Sequence, residues 1–177
     1  DISRAAVEWG RNNLKLLVPT DLIAGDVLKV AFGRKQYDTV FSLSCADWNI
    51  ETNKIINACW QKVKPGGYFI ISLRLTDQKG INDVRQSFQR INFSGREKEP
   101  EIANYVVFNV RDILKLFKEL MPSPETIGAY GYWGKPSVTA VTPFKKLAFT
   151  VFYIKKSRLS SGGQIRLNLS MPLDAIL

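Results

Sequence analysis

The side chains able to do chemistry in this chain are few, and their types exclude more than they permit. Histidine is absent from all 177 residues, which removes every imidazole base, every triad built on one and every imidazole-ligated metal. Cys45 and Cys59 are the only cysteines. One stands at a strand end and the other on a helix face, so neither a disulfide framework nor a structural zinc site is expected, and both thiols read as reduced. Carboxylates, hydroxyls and aromatic rings remain. Asp47 is the best placed carboxylate for removing a proton, because Ser44-Cys45-Ala46-Asp47-Trp48-Asn49 forms a loop at the carboxyl end of a strand, the edge at which open α/β sheets bind ligands. Its other reading is a helix N-terminal or solvated loop residue. Trp48 either walls a pocket or packs in the core. Tyr130, Tyr132 and Trp133 either line a pocket or pack as strand aromatics do.

These residues are positioned by the stretch from Tyr37 to Leu75. Val40 to Leu43 and Phe69 to Leu73 are short apolar runs of strand type, which predicts two buried parallel strands. Between them Ile55, Ile56, Cys59, Trp60 and Val63 recur at helical spacing, one face of a crossover helix over Glu51–Val63. Such a crossover is what parallel neighbours require. The turn Lys64-Pro65-Gly66-Gly67 ends the helix, and one of its glycines is expected to supply a positive φ.

Upstream, Ser3 is a plausible cap for a helix from Arg4 to Leu14, Leu22-Ile23-Ala24 reads as a short strand, and Gly25-Asp26 ends it. Downstream, Ile81, Val84, Phe88 and Ile91 have helical spacing, and Phe93–Asn104 reads as a charged loop; the excursion is either a lid or specificity segment, or a surface insertion. Asn109 is expected to cap a helix to Leu120, with Ile113, Leu114, Phe117 and Met121 on its buried face. Thr126–Tyr132 and Leu147–Ile154 are expected to pair antiparallel. Lys155–Gly163 reads as a basic linker, and Gln164–Leu177 has no assigned partner element. The domain is expected to span residues 1–156, with 157–177 a linker or tail.

The order of short motifs resembles the class I S-adenosylmethionine-dependent methyltransferases. It is carried by Asp1-Ile2-Ser3 before a helix, Gly25-Asp26 after a short strand, Tyr37-Asp38-Thr39-Val40-Phe41-Ser42, Lys64-Pro65-Gly66-Gly67-Tyr68, and two terminal antiparallel strands. The resemblance covers Asp1 to about Lys156. It implies a Rossmann-like, mostly parallel sheet with helices on both faces and an antiparallel terminal edge strand. It also implies S-adenosylmethionine as cofactor: Asp1 would accept hydrogen bonds from both ribose hydroxyls, Ile2 would pack on adenine, Asp26 would take the adenine amino group, Val27 would supply a backbone donor, and Ser42 and Leu43 would lie beside the methionine portion. The family's first strand and glycine-rich turn are not in the sequence, and about fifty further residues, the size of a βαβ unit with its flanks, are expected to precede Asp1.

By that resemblance the activity is in-line methyl transfer, in which alignment and desolvation do most of the work and Asp47 is the candidate base. No Asn-Pro-Pro-Tyr or Asp-Pro-Pro-Tyr follows the Tyr37–Leu43 strand, which argues against amino methylation of nucleic-acid bases. A small-molecule acceptor is the first reading, with Trp48, Tyr132 and Trp133 as its wall. Lysine and arginine number 25 against 16 acids, a formal charge of +9. That field is compatible with an anionic or glycosylated acceptor, or with RNA as a second reading. A third is a catalytically silent binding module in a larger protein. No apolar run approaches a bilayer span, so the expected location is cytoplasmic.

Overall fold

The structure, a computed structural model, describes residues 3–15, 18–30, 32–91, 101–158 and 163–173. It divides into two compact units, Asp1–Lys35 and Gln36–Leu177. In the first, α1 spans Arg4–Asn13, and the Ser3 hydroxyl accepts from the Ala6 amide at 3.2 Å, as a capping serine does. The expected strand at Leu22–Ala24 is not formed. The Arg11 guanidinium donates to the Leu22 carbonyl, giving that carbonyl a partner without a ladder.

The second unit contains β1 (Tyr37–Ser42), a 3₁₀ turn (Ala46–Trp48), α2 (Thr52–Gln61), β2 (Val63–Thr76), β3 (Phe88–Ile91), β4 (Glu101–Asn104) and β5 (Phe108–Asn109). Then come α3 (Val110–Lys118), β6 (Pro124–Gly134), β7 (Ala140–Val141), β8 (Leu147–Lys156) and β9 (Arg166–Ser170). The main sheet runs β1-β2-β8-β6-β9, with β5 also on β2. β1 and β5 are parallel to β2, and β9 is parallel to β6. β8 is antiparallel to both β2 and β6, and lies between them. The expected antiparallel pairing of the two late strands is therefore formed, and the segment beyond Gln164 supplies the edge strand β9. The alternation in Ile165, Leu167 and Leu169 is the period-two signal for it.

Phe69, Ile71, Leu73 and Leu75 of β2 are buried on one face together with Phe152 and Ile154 of β8 and Ile127 of β6. Both helices of this unit cover that face. Phe117 of α3 meets Phe152 edge-on at 5.0 Å, and the Lys156 ammonium lies 5.1 Å from the Trp60 ring of α2. Buried Lys156 donates to the carbonyls of Trp60 and Val63, each at 2.9 Å, and so satisfies backbone acceptors at the end of α2. The opposite face carries the exposed rings of Tyr130 and Tyr132.

β1 is parallel to β2 as expected, but it is not buried: Phe41 and Leu43 beyond it are exposed, because among the described residues β2 alone pairs with it. Gly66 adopts φ +81°, the positive value expected of a glycine here, but Lys64–Gly67 is the first part of β2, where its pairing with β1 is irregular, and not a turn before it. The helical reading of Ile81–Ile91 is wrong. Asp83 caps a turn by accepting from the Arg85 amide at 2.9 Å, and Phe88–Ile91 is a strand flanked by β4 and β7 in a second, three-stranded antiparallel sheet. Glu101–Asn104, read as loop, is β4; residues 92–100 lie outside the described set. Asn109 caps α3 by accepting from the Arg111 amide at 2.8 Å. Met121 is exposed, and Leu120 takes the buried position instead.

Candidate functional site

The parallel strands β1 and β2 end on the same side, and the chain after β1 folds back over that end. Ser44 holds φ +49°, and its amide donates to the Ser72 hydroxyl of β2 at 2.7 Å. The 3₁₀ turn follows, its Ala46 carbonyl accepting from Thr52 Oγ1 at 2.9 Å. This bend places Asp47 against Arg74 near the carboxyl end of β2. Asp47 Oδ2 lies 2.7 Å from Arg74 Nε, both side chains being 6% exposed. The approach is an ion pair without an aligned Nε–H bond, since Arg74 Nε has no partner of hydrogen-bond geometry. Arg74 Nη2 donates to the Asp47 carbonyl, and that carbonyl also accepts from the Val106 amide at 3.1 Å.

Aromatic rings hold the guanidinium from its faces. Arg74 Cζ lies 3.8 Å from the Tyr105 ring centre and 4.7 Å from that of Trp48, both inside cation–π range. The two rings meet edge-on at 6.2 Å. Cross-strand register sets Phe149 of β8 opposite Arg74, and Tyr132 of β6 opposite Phe149. A cavity of about 170 Å³ opens here, lined by Ser44, Asp47, Trp48, Arg74, Gln89, Tyr105, Ser137 and Phe149. Asp47 Oδ1 is buried and has no hydrogen-bond partner among the described residues. Burial pushes the Asp47 carboxyl above the ordinary carboxylate range, against the opposing pull of Arg74.

Asp47 and Trp48 thus share one cavity, while Tyr132 and Trp133 are not in its wall. Tyr132 stands behind it, stacked on Phe149 with ring centres 5.9 Å apart. Trp133 is turned to Lys146, whose ammonium is 4.2 Å from the ring centre. The excursion after β2 supplies Gln89 and, just beyond β4, Tyr105 to the cavity wall, while Ser137 comes from the connection between β6 and β7. Arg74 and Tyr105 are site residues not expected from the sequence. Arg74 had a signal: a charge inside Ile70-Ile71-Ser72-Leu73-Arg74-Leu75 requires a partner once that run is a buried strand. Tyr105 had none, because its role depends on the fold of a long irregular segment.

Of the residues implied for the cofactor, Asp1 and Ile2 lie outside the described set. Asp26 Oδ1 accepts from the Leu28 amide at 2.9 Å, and Oδ2 lies 3.6 Å from Lys29 Nζ, so this carboxylate caps the turn that follows it. Val27 is half-buried. At the carboxyl end of β1, Ser42 is buried with its Oγ unpartnered among the described residues, and Leu43 is exposed. A buried hydroxyl in need of a partner fits the polar amino-acid portion of a ligand. Cys59 is buried and its thiol is pushed up to about 11, which makes it unreactive.

Residues 1–71 match a family model described as a methyltransferase domain. No curated protein matches the chain. Among solved structures, the chain is similar to a SAM-dependent methyltransferase from Methanosarcina mazei, at 16% identity and a TM-score of 0.51, covering 89% of this chain and 80% of that one. A crystal structure from Listeria monocytogenes, described as an S-adenosylmethionine-dependent methyltransferase, is similar at 15% identity and a TM-score of 0.51, covering 89% and 78%. At such identities the likeness is one of fold. The match to a methyltransferase domain covers residues 1–71, and over most of its length the chain has the fold of these S-adenosylmethionine-dependent methyltransferase structures.

Proposed function

We propose that the protein transfers a methyl group from S-adenosylmethionine to a small-molecule acceptor, with Asp47 as the proton acceptor. The observation that carries this reading is the cleft at the carboxyl ends of β1 and β2, where the buried Asp47 carboxylate stands among three aromatic side chains. The cofactor supplies a methyl group already activated on a sulfonium, ready for in-line displacement. This chain's residues then have three tasks: to hold the donor, to orient the acceptor and to keep water out. Asp1, Ile2, Asp26, Val27, Ser42 and Leu43 are the proposed cofactor residues, and the family match spans all six. Asp26 would act after giving up its turn-capping role toward Leu28, or through its second oxygen. Trp48 would wall the acceptor, Tyr132 would support that wall through Phe149, and Trp133 would contact parts of the acceptor outside the cavity.

Arg74 keeps the Asp47 carboxylate in place while the carboxylate receives the acceptor's proton. A cavity of about 170 Å³ admits the reacting end of a small molecule. An anionic or glycosylated remainder would lie outside, on the positively charged surface. Cytoplasmic location belongs to the same proposal; among the described residues no helix is long and apolar enough to cross a membrane.

Calorimetry of the full-length protein with S-adenosylmethionine tests the donor half. Saturable binding is expected, and its absence at millimolar ligand would leave a silent binding module as the reading. Asp1→Ala should weaken that affinity by about 1.5–3 kcal/mol, the range for a hydrogen bond to a charged group. Unchanged affinity would move the ribose site elsewhere.

A further inference from the structure

We infer that the cleft at the amino end of the main sheet is a site for a phosphate group, held by Arg158 and Lys155 with Arg166 at its edge. It lies at the opposite end of the strands from Asp47 and does not depend on the methyltransferase reading. Topology brings the three cations together. β8 runs antiparallel to β2 and β6, so it delivers Lys155 and then Arg158 to the end at which β2, β6 and β9 begin. Register sets Lys155 beside Thr126 and Thr126 beside Arg166. The cleft there has a volume of about 420 Å³, and Glu125, Lys155, Ser157, Arg158 and Gln164 stand in its wall. That is room for a small ligand and more than room for one phosphate.

Arg158 is the group without a match. Its guanidinium has no hydrogen-bond or ion-pair partner among the described residues. Its stem is nonetheless fixed, because a Cβ on Gly66 would stand 2.6 Å from Arg158 Nε and 3.1 Å from its Cγ. The side chain therefore lies across the Gly66 backbone, and part of the cost of ordering it is met before a ligand arrives. Glu125 offsets the other two cations only in part. Its Oε1 accepts from Lys155 Nζ at 3.1 Å and from Arg166 Nη2 at 2.7 Å. An ammonium has three donors and a guanidinium five, so both cations keep donors for a ligand. Among the described residues Glu125 is the one carboxylate in ion-pair contact with any of the three, and the balance of charge at the cleft stays positive. The planar fork of Arg158 matches two oxygens of an anion, and Lys155 acts as a point charge beside it. A carboxylate has only the two oxygens and is satisfied by Arg158 alone. A phosphate has a third oxygen and a second charge, and so uses Lys155 as well.

The test is an NMR titration of the full-length protein at constant ionic strength, read at the backbone amide signals of Ser157, Gly163 and Gln164. The probes are inorganic phosphate, acetate, and a short and a long oligouridylate. Phosphate should shift these signals saturably, and acetate should bind about tenfold more weakly, having one charge-assisted contact fewer. Arg158→Gln should weaken phosphate binding by about tenfold or more. Arg158 is exposed and unpartnered, so this variant should keep the wild-type melting temperature. Arg111→Gln removes the same charge from the start of α3, at the other end of the sheet, and should leave phosphate affinity unchanged. The oligouridylates identify the source of the phosphate. Affinity that rises with oligomer length assigns the site to a nucleic-acid backbone, and affinity no better than that of inorganic phosphate assigns it to a small phosphorylated ligand. No saturable shift with phosphate, acetate bound as tightly as phosphate, or equal losses in Arg158→Gln and Arg111→Gln would overturn the assignment and leave only the general positive field of the chain.

Discussion

Arg74 and Asp47 are within 2.7 Å of each other and almost wholly buried, so removing one charge strands the other. Arg74→Met is expected to cost about 3–5 kcal/mol in urea denaturation, and adding Asp47→Leu should recover most of it. A single variant as stable as the wild type would mean that the pair is hydrated in solution. The same carboxylate gives a pH dependence with a definite sign. Burial raises its folded-state pKa above the unfolded value of about 3.9. The folded protein therefore holds that proton more tightly, and the resulting stabilisation is present below the unfolded pKa and lost as pH rises through the raised one. Relative to the double variant, the wild type should become less stable across that window; a pH-independent difference would show that Arg74 cancels the effect of burial. If Asp47 is the base, Asp47→Asn should lower turnover with cofactor affinity intact, and wild-type turnover would remove it from the mechanism.

At the scale of elements, the start of β2 and the cap of α3 are the places where one residue type decides the local structure. A Cβ on Gly67 would stand 2.6 Å from the Asp38 carbonyl and 3.0 Å from that of Lys64, both backbone atoms that cannot swing aside. Gly67→Ala is therefore expected to disturb the irregularity where β1 meets β2 and to lower the melting temperature; an unchanged transition would mean that β1 shifts at no cost. Asn109 satisfies the first amides of α3 and also donates to the Gln78 carbonyl at 2.8 Å. Asn109→Ala should cost about 1 kcal/mol for the cap alone. A larger loss in denaturation would measure the tie to Gln78. The three-stranded sheet β4-β3-β7 illustrates the opposite case, in which helical spacing in Ile81–Ile91 was overruled by pairing across a long sequence separation. Periodicity reports which residues share a face only if the backbone type is already fixed.

Over the whole molecule, the formal charge of +9 makes non-specific attraction to polyanions a property to be separated from function. If the acceptor is a small molecule, RNA binding should be weak and unsaturable at physiological salt, and should fall steeply as salt is raised, the mark of counter-ion release. Tight, saturable RNA binding that persists at high salt would favour an RNA acceptor instead. Filter binding across a salt series distinguishes these outcomes.

The sequence by itself determined the strand–helix–strand unit around Tyr37–Leu75, the capped helices α1 and α3 and the antiparallel pairing of β6 with β8. In each case the signal lies in residues close along the chain: an apolar period, a capping side chain, a glycine with positive φ. It also isolated Asp47 and Trp48, because a polar loop after an apolar strand is visible locally. Only the tertiary structure decided that Arg74 is their partner, that Tyr105 and Phe149 complete the cavity, and that Tyr132 stands behind its wall and Trp133 away from it. Those contacts join residues well separated along the chain, 27 positions apart for Asp47 and Arg74. Which residues meet at such distances is set by strand order and register, and no local pattern carries that information.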